Sequence, residues 1–112
     1  MVAIAVDFGS SNTVIATWNA ILNRPQTLKL PDLARAYPQD FLIPSIVYVE
    51  DAKRDRVCIG QEVINKGYSQ RSPRYFSGIK RRLAVPTGFT PQIDGVELGP
   101  EFLGKLFLLE LF

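Results

Sequence analysis

The chain has 112 residues, 46% of them hydrophobic, with 13 basic residues against 11 acidic ones and a formal net charge of +2. That is enough apolar material for the core of one small domain and too much for a disordered chain, while the near-balance of charge gives no basic stripe of the kind that binds nucleic acid. Histidine is absent and Cys58 is the single cysteine, which excludes His-based triads, most transition-metal sites and an intrachain disulfide framework, and points to a reducing compartment.

In chain order, Val2 to Val6 is an unbroken apolar run too short for a helix, and it predicts a strand buried on both faces of a sheet. A second apolar run, Val14 to Trp18, follows a tight polar turn. Asn19 to Asn23 reads as a connection, with a strand expected at Thr27 to Leu30; the recurring Pro31, Pro38 and Pro44 keep Pro31 to Ile43 irregular. Ser45 to Val49 is β-branched and aromatic, and Val57-Cys58-Ile59 is expected to pair with it. Cys58 itself reads as a small buried strand residue. Gly60 to Lys66 predicts a short helix, Tyr75 to Leu83 a second one, and Asp94-Gly95 a two-residue hairpin turn.

From Pro100 onwards a helix is expected, with Pro100 in its first turn and Glu101 suited to its positive end. Phe102, Leu103, Leu106 to Leu109, Leu111 and Phe112 leave it almost no polar face, which predicts burial on all sides. That expectation makes the chain the N-terminal piece of a longer polypeptide, with self-association through this helix if nothing covers it. Gly99 to Lys105 also matches the G-x-x-x-x-G-K part of a phosphate-binding loop. Leu106 stands where a magnesium-binding Ser or Thr belongs, and the glycines would lie in a helix instead of before one, so Gly104 reads as a packing position and Lys105 as a solvated charge. No apolar run reaches membrane-spanning length, and Met1 is not followed by a basic region and an apolar core. A soluble, cytoplasmic chain without a signal peptide is therefore expected.

The segment that carries chemistry is Asp7-Phe8-Gly9-Ser10-Ser11-Asn12-Thr13. A carboxylate at the end of a buried strand would be costly unless paired or given a metal. Gly9 permits positive φ and close backbone approach, and the hydroxyls and amides that follow make a concave set of donors suited to a phosphate. The same residues are also ordinary turn formers, so a plain β-hairpin remains the alternative.

Ile4 to Ala16 resembles the first phosphate motif, I-D-L-G-T-T-N-S, of the seventy-kilodalton heat-shock chaperones, the DnaK-like proteins. Later segments resemble the family in order: Ile43-Pro44-Ser45-Ile46-Val47 its T-P-S-I-I strand, Ile59 to Val63 its V-G-Q-x-A segment, Phe76 to Leu83 its F-x-x-K-R-L-I-G. Leu98 to Leu103 occupies the place of its P-x-x-I-S-x-x-V-L helix start. The resemblance implies an α/β fold of the ribonuclease-H-like, actin-like ATPase type, of which residues 1–112 are the first part of the N-terminal lobe, with the rest of the ATPase domain and a peptide-binding domain beyond. It implies ATP with magnesium, and potassium, in a cleft between lobes, and in the whole protein unfolded polypeptides and co-chaperones as partners. By residue, Asp7 would hold magnesium through water, Gly9, Ser10 and Ser11 the phosphates with Asn12 in the same turn, and Lys80 would act catalytically at the γ-phosphate. Asn12 is expected to stabilise the turn more than touch nucleotide, and Arg81 and Arg82 to be surface or lobe-contact charges.

The chain departs from the family in the serine pair Ser10-Ser11, in Phe8 and in the longer stretch from Asn23 to Gln39. The family's second phosphate loop and adenosine site would lie after Phe112, so these residues alone are expected to be inactive. Two other functions fit the same residues: an actin-like filament ATPase or small-molecule kinase of the same superfamily, and a non-enzymatic interaction module that docks through the C-terminal helix.

Overall fold

The computed structural model describes residues 3–84 and 90–112. Met1 and Val2, the start of the expected first strand, lie outside the described residues. The opening hairpin forms: β1 (Ile4–Phe8) runs antiparallel to β2 (Asn12–Asn19), with Ile4 opposite Thr17 and Phe8 opposite Thr13. It is not buried on both faces, however. β1 pairs with β2 alone among the described residues, so it is an edge strand, and Ile4 stays 53% exposed. A continuous apolar run signals the capacity to be covered, but burial needs a layer on each side. Here only Phe8 gains one, by stacking on Phe107 at 5.3 Å between ring centroids.

β3 (Arg24–Thr27) pairs with the far end of β2, one turn earlier than the strand expected at Thr27 to Leu30. The shift has a local cause. The Asn19 side-chain oxygen accepts from the N–H groups of Ile21 and Leu22 at 3.0 Å each, and Asn23 takes positive φ, so the chain reverses immediately and pairs at once. Leu28 and Leu30 then turn inward against the core instead of continuing the strand. Residues 31–42 are irregular, as the prolines require, and end in β4 (Ile43–Pro44), which pairs with the start of β2.

A second antiparallel sheet is built around Val47–Asp51. β5 (Val47–Asp51) and β6 (Arg56–Ile59) form the expected antiparallel pair, joined by a 3-10 turn over Ala52–Arg54 that Asp51 caps by accepting from the Lys53 N–H. α1 (Gln61–Asn65) follows Gly60, whose positive φ of 64° and close approach to the Leu33 carbonyl leave no room for a Cβ. The helix expected from Tyr75 is shorter than the sequence suggests. Tyr75 and Phe76 instead pair with Tyr48 and Val47 as β7 (Tyr75–Phe76), Gly78 adopts φ 65°, and only then does α2 (Ile79–Ala84) begin.

β8 (Gln92–Ile93) and β9 (Val96–Glu97) close over Asp94 and Gly95, both at positive φ, as an Asp-Gly turn demands. Asp94 also accepts hydrogen bonds from the Ala52 N–H at 3.1 Å and from Arg74, which ties this hairpin to the 3-10 turn and to β7. α3 (Pro100–Leu111) packs across α2 and β6.

The described residues are thus mixed α/β, with small antiparallel sheets and three α-helices among them. Its core lies between the second sheet and α3: Val47, Val49, Ile59, Leu98, Leu103 and Phe107 are all fully buried. α3 is covered on one side only. Leu103, Gly104, Leu106 and Phe107 are buried, whereas Leu109 is 62% and Phe112 72% exposed, so the expected burial all round is not met. In the first sheet β1 and β3 stay largely exposed, while Ile15 of β2 joins the core. The molecule measures 50 × 30 × 23 Å, and its radius of gyration of 15.0 Å exceeds the roughly 13 Å expected for a compact chain of this length.

Candidate anion-binding cleft at the first turn

The turn between β1 and β2 is a hairpin, and its geometry rests on Gly9. The Gly9 N–H donates to the Asn12 carbonyl at 3.0 Å, and a Cβ on Gly9 would meet that oxygen at 2.4 Å. Close approach, not positive φ, is therefore what demands glycine, since Gly9 is not among the glycines in the left-handed region. Its N–H is satisfied inside the turn. Ser10, half-buried, and Ser11, exposed, form the tip.

Three contacts hold that tip in place. The Ser45 N–H donates to the Ser11 carbonyl at 3.0 Å, and the Thr13 and Ser45 hydroxyls, both buried, share a hydrogen bond of 2.8 Å. Arg35 Nε donates to Asn12 Oδ1 at 3.0 Å, so the Asn12 side chain serves the turn, in line with its expected stabilising role. The I-P-S segment matters for a physical reason: Ile43 and Pro44 pair with the start of β2 as β4, and Ser45 then supplies the buried partner that Thr13 needs.

Next to the tip lies a cleft of about 250 Å³. One wall is Ser10, Ser11, Ser45 and Ile46; the other is Tyr75, Ser77, Gly78 and Arg81, from the segment that joins β7 to α2. Four serine residues, a phenol and a guanidinium thus surround a small space, a donor-rich lining that suits a tetrahedral oxyanion. Burial pushes the Tyr75 hydroxyl above its ordinary value, so it faces the cleft as a neutral donor.

Of the residues to which the sequence points, Ser10 and Ser11 line the cleft. Asp7 is exposed on β1, so the cost of burying its charge, which had pointed to a metal, does not arise; nor is it a lining residue. Lys80 is exposed on α2 and does not line the cleft either. Its neighbour Arg81, which the sequence reads as a surface or lobe-contact charge, does. Tyr75, Ser77 and Ser45 were likewise not singled out, although each lies in or beside a segment that carried the family resemblance. Among the described residues no cluster of three or more Cys, Asp or Glu side chains could hold a metal ion.

The other motifs take the plainer of their two readings. Gly104 lies inside α3, beginning at Pro100, so Gly99 to Lys105 is not a phosphate loop; a Cβ there would meet Ile79 and Leu83 at 3.8 Å, ordinary packing distance. Cys58 is buried in β6, and desolvation, with Glu62 adding, pushes its thiol up to about 11, which makes it unreactive. No helix of the described residues is long and apolar enough to cross a membrane. Comparison with protein-family models, curated proteins and solved structures finds no match to this chain.

Proposed function

We propose that this chain is the opening part of an ATP-binding and ATP-hydrolysing domain of the heat-shock chaperone type, with the actin-like fold that such domains have, acting in the cytoplasm on unfolded polypeptides with co-chaperones. The observation that carries this reading is the cleft beside the Ser10–Ser11 tip, lined by hydroxyls from both walls and by one guanidinium. Phosphoryl transfer asks a protein chiefly for positioning and charge neutralisation, and a rigid turn facing a cation supplies both. The hydroxyls of Ser10 and Ser11 bind phosphoryl oxygens, and the Thr13–Ser45 bond keeps their backbone from shifting.

A magnesium ion fits this site only together with the phosphates. Mg²⁺ retains several waters and uses one or two carboxylates plus substrate oxygens; Asp7, which lies outside the cleft lining, would have to hold it through water. The expected catalytic role of Lys80 at the γ-phosphate would need its exposed side chain to reach in from outside the cleft lining.

Equilibrium dialysis with Mg·ATP tests it. The chain is expected to bind weakly, with Kd on the order of 1 mM, about −4 kcal/mol, and to show no turnover alone. Replacing both Ser10 and Ser11 with Ala should weaken binding about tenfold, equivalent to about 1.4 kcal/mol and within the range of hydrogen bonds to charged groups. Unchanged binding by that double variant would contradict the reading.

One observation favours an interaction role beside this one. Phe8, Leu83, Gly104, Leu108, Leu109 and Phe112 line an open apolar groove of about 530 Å³ along α3. Surface of this kind is what a partner, or another part of a larger domain, would cover.

A further inference from the structure

Resting on the reading of the Ser10–Ser11 cleft as a phosphate site, we propose that the cation gripping the phosphoryl group there is Arg81 and not Lys80, and that the guanidinium fork binds it in bidentate fashion. The placement of α2 decides between the two neighbours. Ile79 is buried, and Ile79 and Leu83 share one face of the helix, directed at Gly104 of α3. Arg81, two residues from each, falls on the side away from α3 and lines the cleft opposite Ser10 and Ser11, whereas Lys80 does not.

The cleft's chemistry selects for the same residue. Among the described residues, Lys29, Arg54, Lys66 and Arg74 each have a carboxylate within ion-pair distance, while Arg81, like Lys80, has none in any of the salt bridges, so placement and donor geometry separate the two. The charge of Arg81 is therefore available to an incoming anion. A planar guanidinium presents parallel N–H donors matched to two oxygens of one phosphoryl group, which a lysine ammonium cannot do. Tyr75 and Ser77, on the same wall, supply neutral donors for the remaining oxygens. The residue thus provides charge and orientation at the phosphoryl group.

The test is a titration of the isotope-labelled chain with inorganic phosphate, followed by amide and guanidinium NMR shifts, for the wild type, Arg81→Gln, Arg81→Lys and Lys80→Gln. The wild type is expected to show saturable shifts at Ser10, Ser11 and the Arg81 Nε–H. R81Q should weaken binding by about tenfold or more and K80Q by less than about twofold, with R81K between them because it keeps the charge and loses the fork. Since Arg81 is exposed, the variants should keep the wild-type spectrum elsewhere, which the same data verify. Saturable shifts at Ser10 and Ser11 that survive R81Q and vanish in K80Q would overturn the role of Arg81 and leave the phosphate site standing. Absence of any shift at Ser10 and Ser11 in the wild type would overturn both.

Discussion

Thr13 and Ser45 each bury a hydroxyl, and each is the other's partner at 2.8 Å. Removing one leaves the other buried without its bond, a loss of about 1–3 kcal/mol, whereas removing both leaves nothing unsatisfied. Urea denaturation should therefore find Thr13→Val and Ser45→Ala each destabilising by about 1–3 kcal/mol, and the double variant by clearly less than their sum, with a coupling of about 1 kcal/mol. Strict additivity would mean that the bond does not anchor the tip. Asp94 gives a second residue-scale expectation. Its carboxyl is held below the usual carboxylate range first by the hydrogen bond from Arg74 and then by the Ala52 N–H. A group whose folded-state value is lowered adds stability above its unfolded value, near 3.9, and that contribution fades as pH falls through the folded value. Asp94→Asn should accordingly be less stable than the wild type at neutral pH, with the urea midpoints converging below about pH 4; a constant gap across pH would count against the ion pair as the cause.

At the level of elements, Gly104 separates two accounts of α3. A Cβ there meets Ile79, Leu83 and Phe8 at 3.8 to 3.9 Å, which is ordinary contact, and alanine is the better helix former by about 1 kcal/mol. Gly104→Ala should raise stability by up to about 1 kcal/mol without altering phosphate binding, while loss of binding would revive Gly99 to Lys105 as a phosphate loop. The elements also differ in how legible they were. The Asp94-Gly95 hairpin could be read from two residues, because the turn's demand for positive φ at both positions is met locally, at 55° and 76°. The start of α2 could not. Tyr75 and Phe76 are drawn into β7 by Tyr48 and Val47, distant in sequence, and the conformation of Gly78 separates that strand from the helix. In the candidate site, Ser10 and Ser11 were legible because their chemistry and their turn coincide in sequence. Arg81 was not, since Lys80-Arg81-Arg82 reads as one solvated run until the packing of Ile79 against α3 fixes which side chain faces the cleft.

For the molecule as a whole, the decisive quantity is uncovered apolar surface. Ile4 and Val6 lie on an edge strand, and Leu108, Leu109 and Phe112 on the open side of α3, all of them exposed. Unpaired strand edges and apolar helix faces both favour association. Analytical ultracentrifugation should find reversible self-association that Leu109→Lys weakens; a strict monomer at high concentration would show that these faces are tolerated in water. None of this surface borders the Ser10–Ser11 cleft, so phosphate binding and association should vary independently.

The central claim is that the β1–β2 tip and the β7–α2 segment together hold a phosphoryl group, and the most direct test is a residue-by-residue map of amide shifts as Mg·ATP is added to the wild-type chain. The account predicts saturable changes concentrated at Gly9 to Asn12 and at Ser77 to Arg81, on both walls of one cleft. Changes confined to the apolar groove along α3, or none at these two segments at saturating nucleotide, would contradict it.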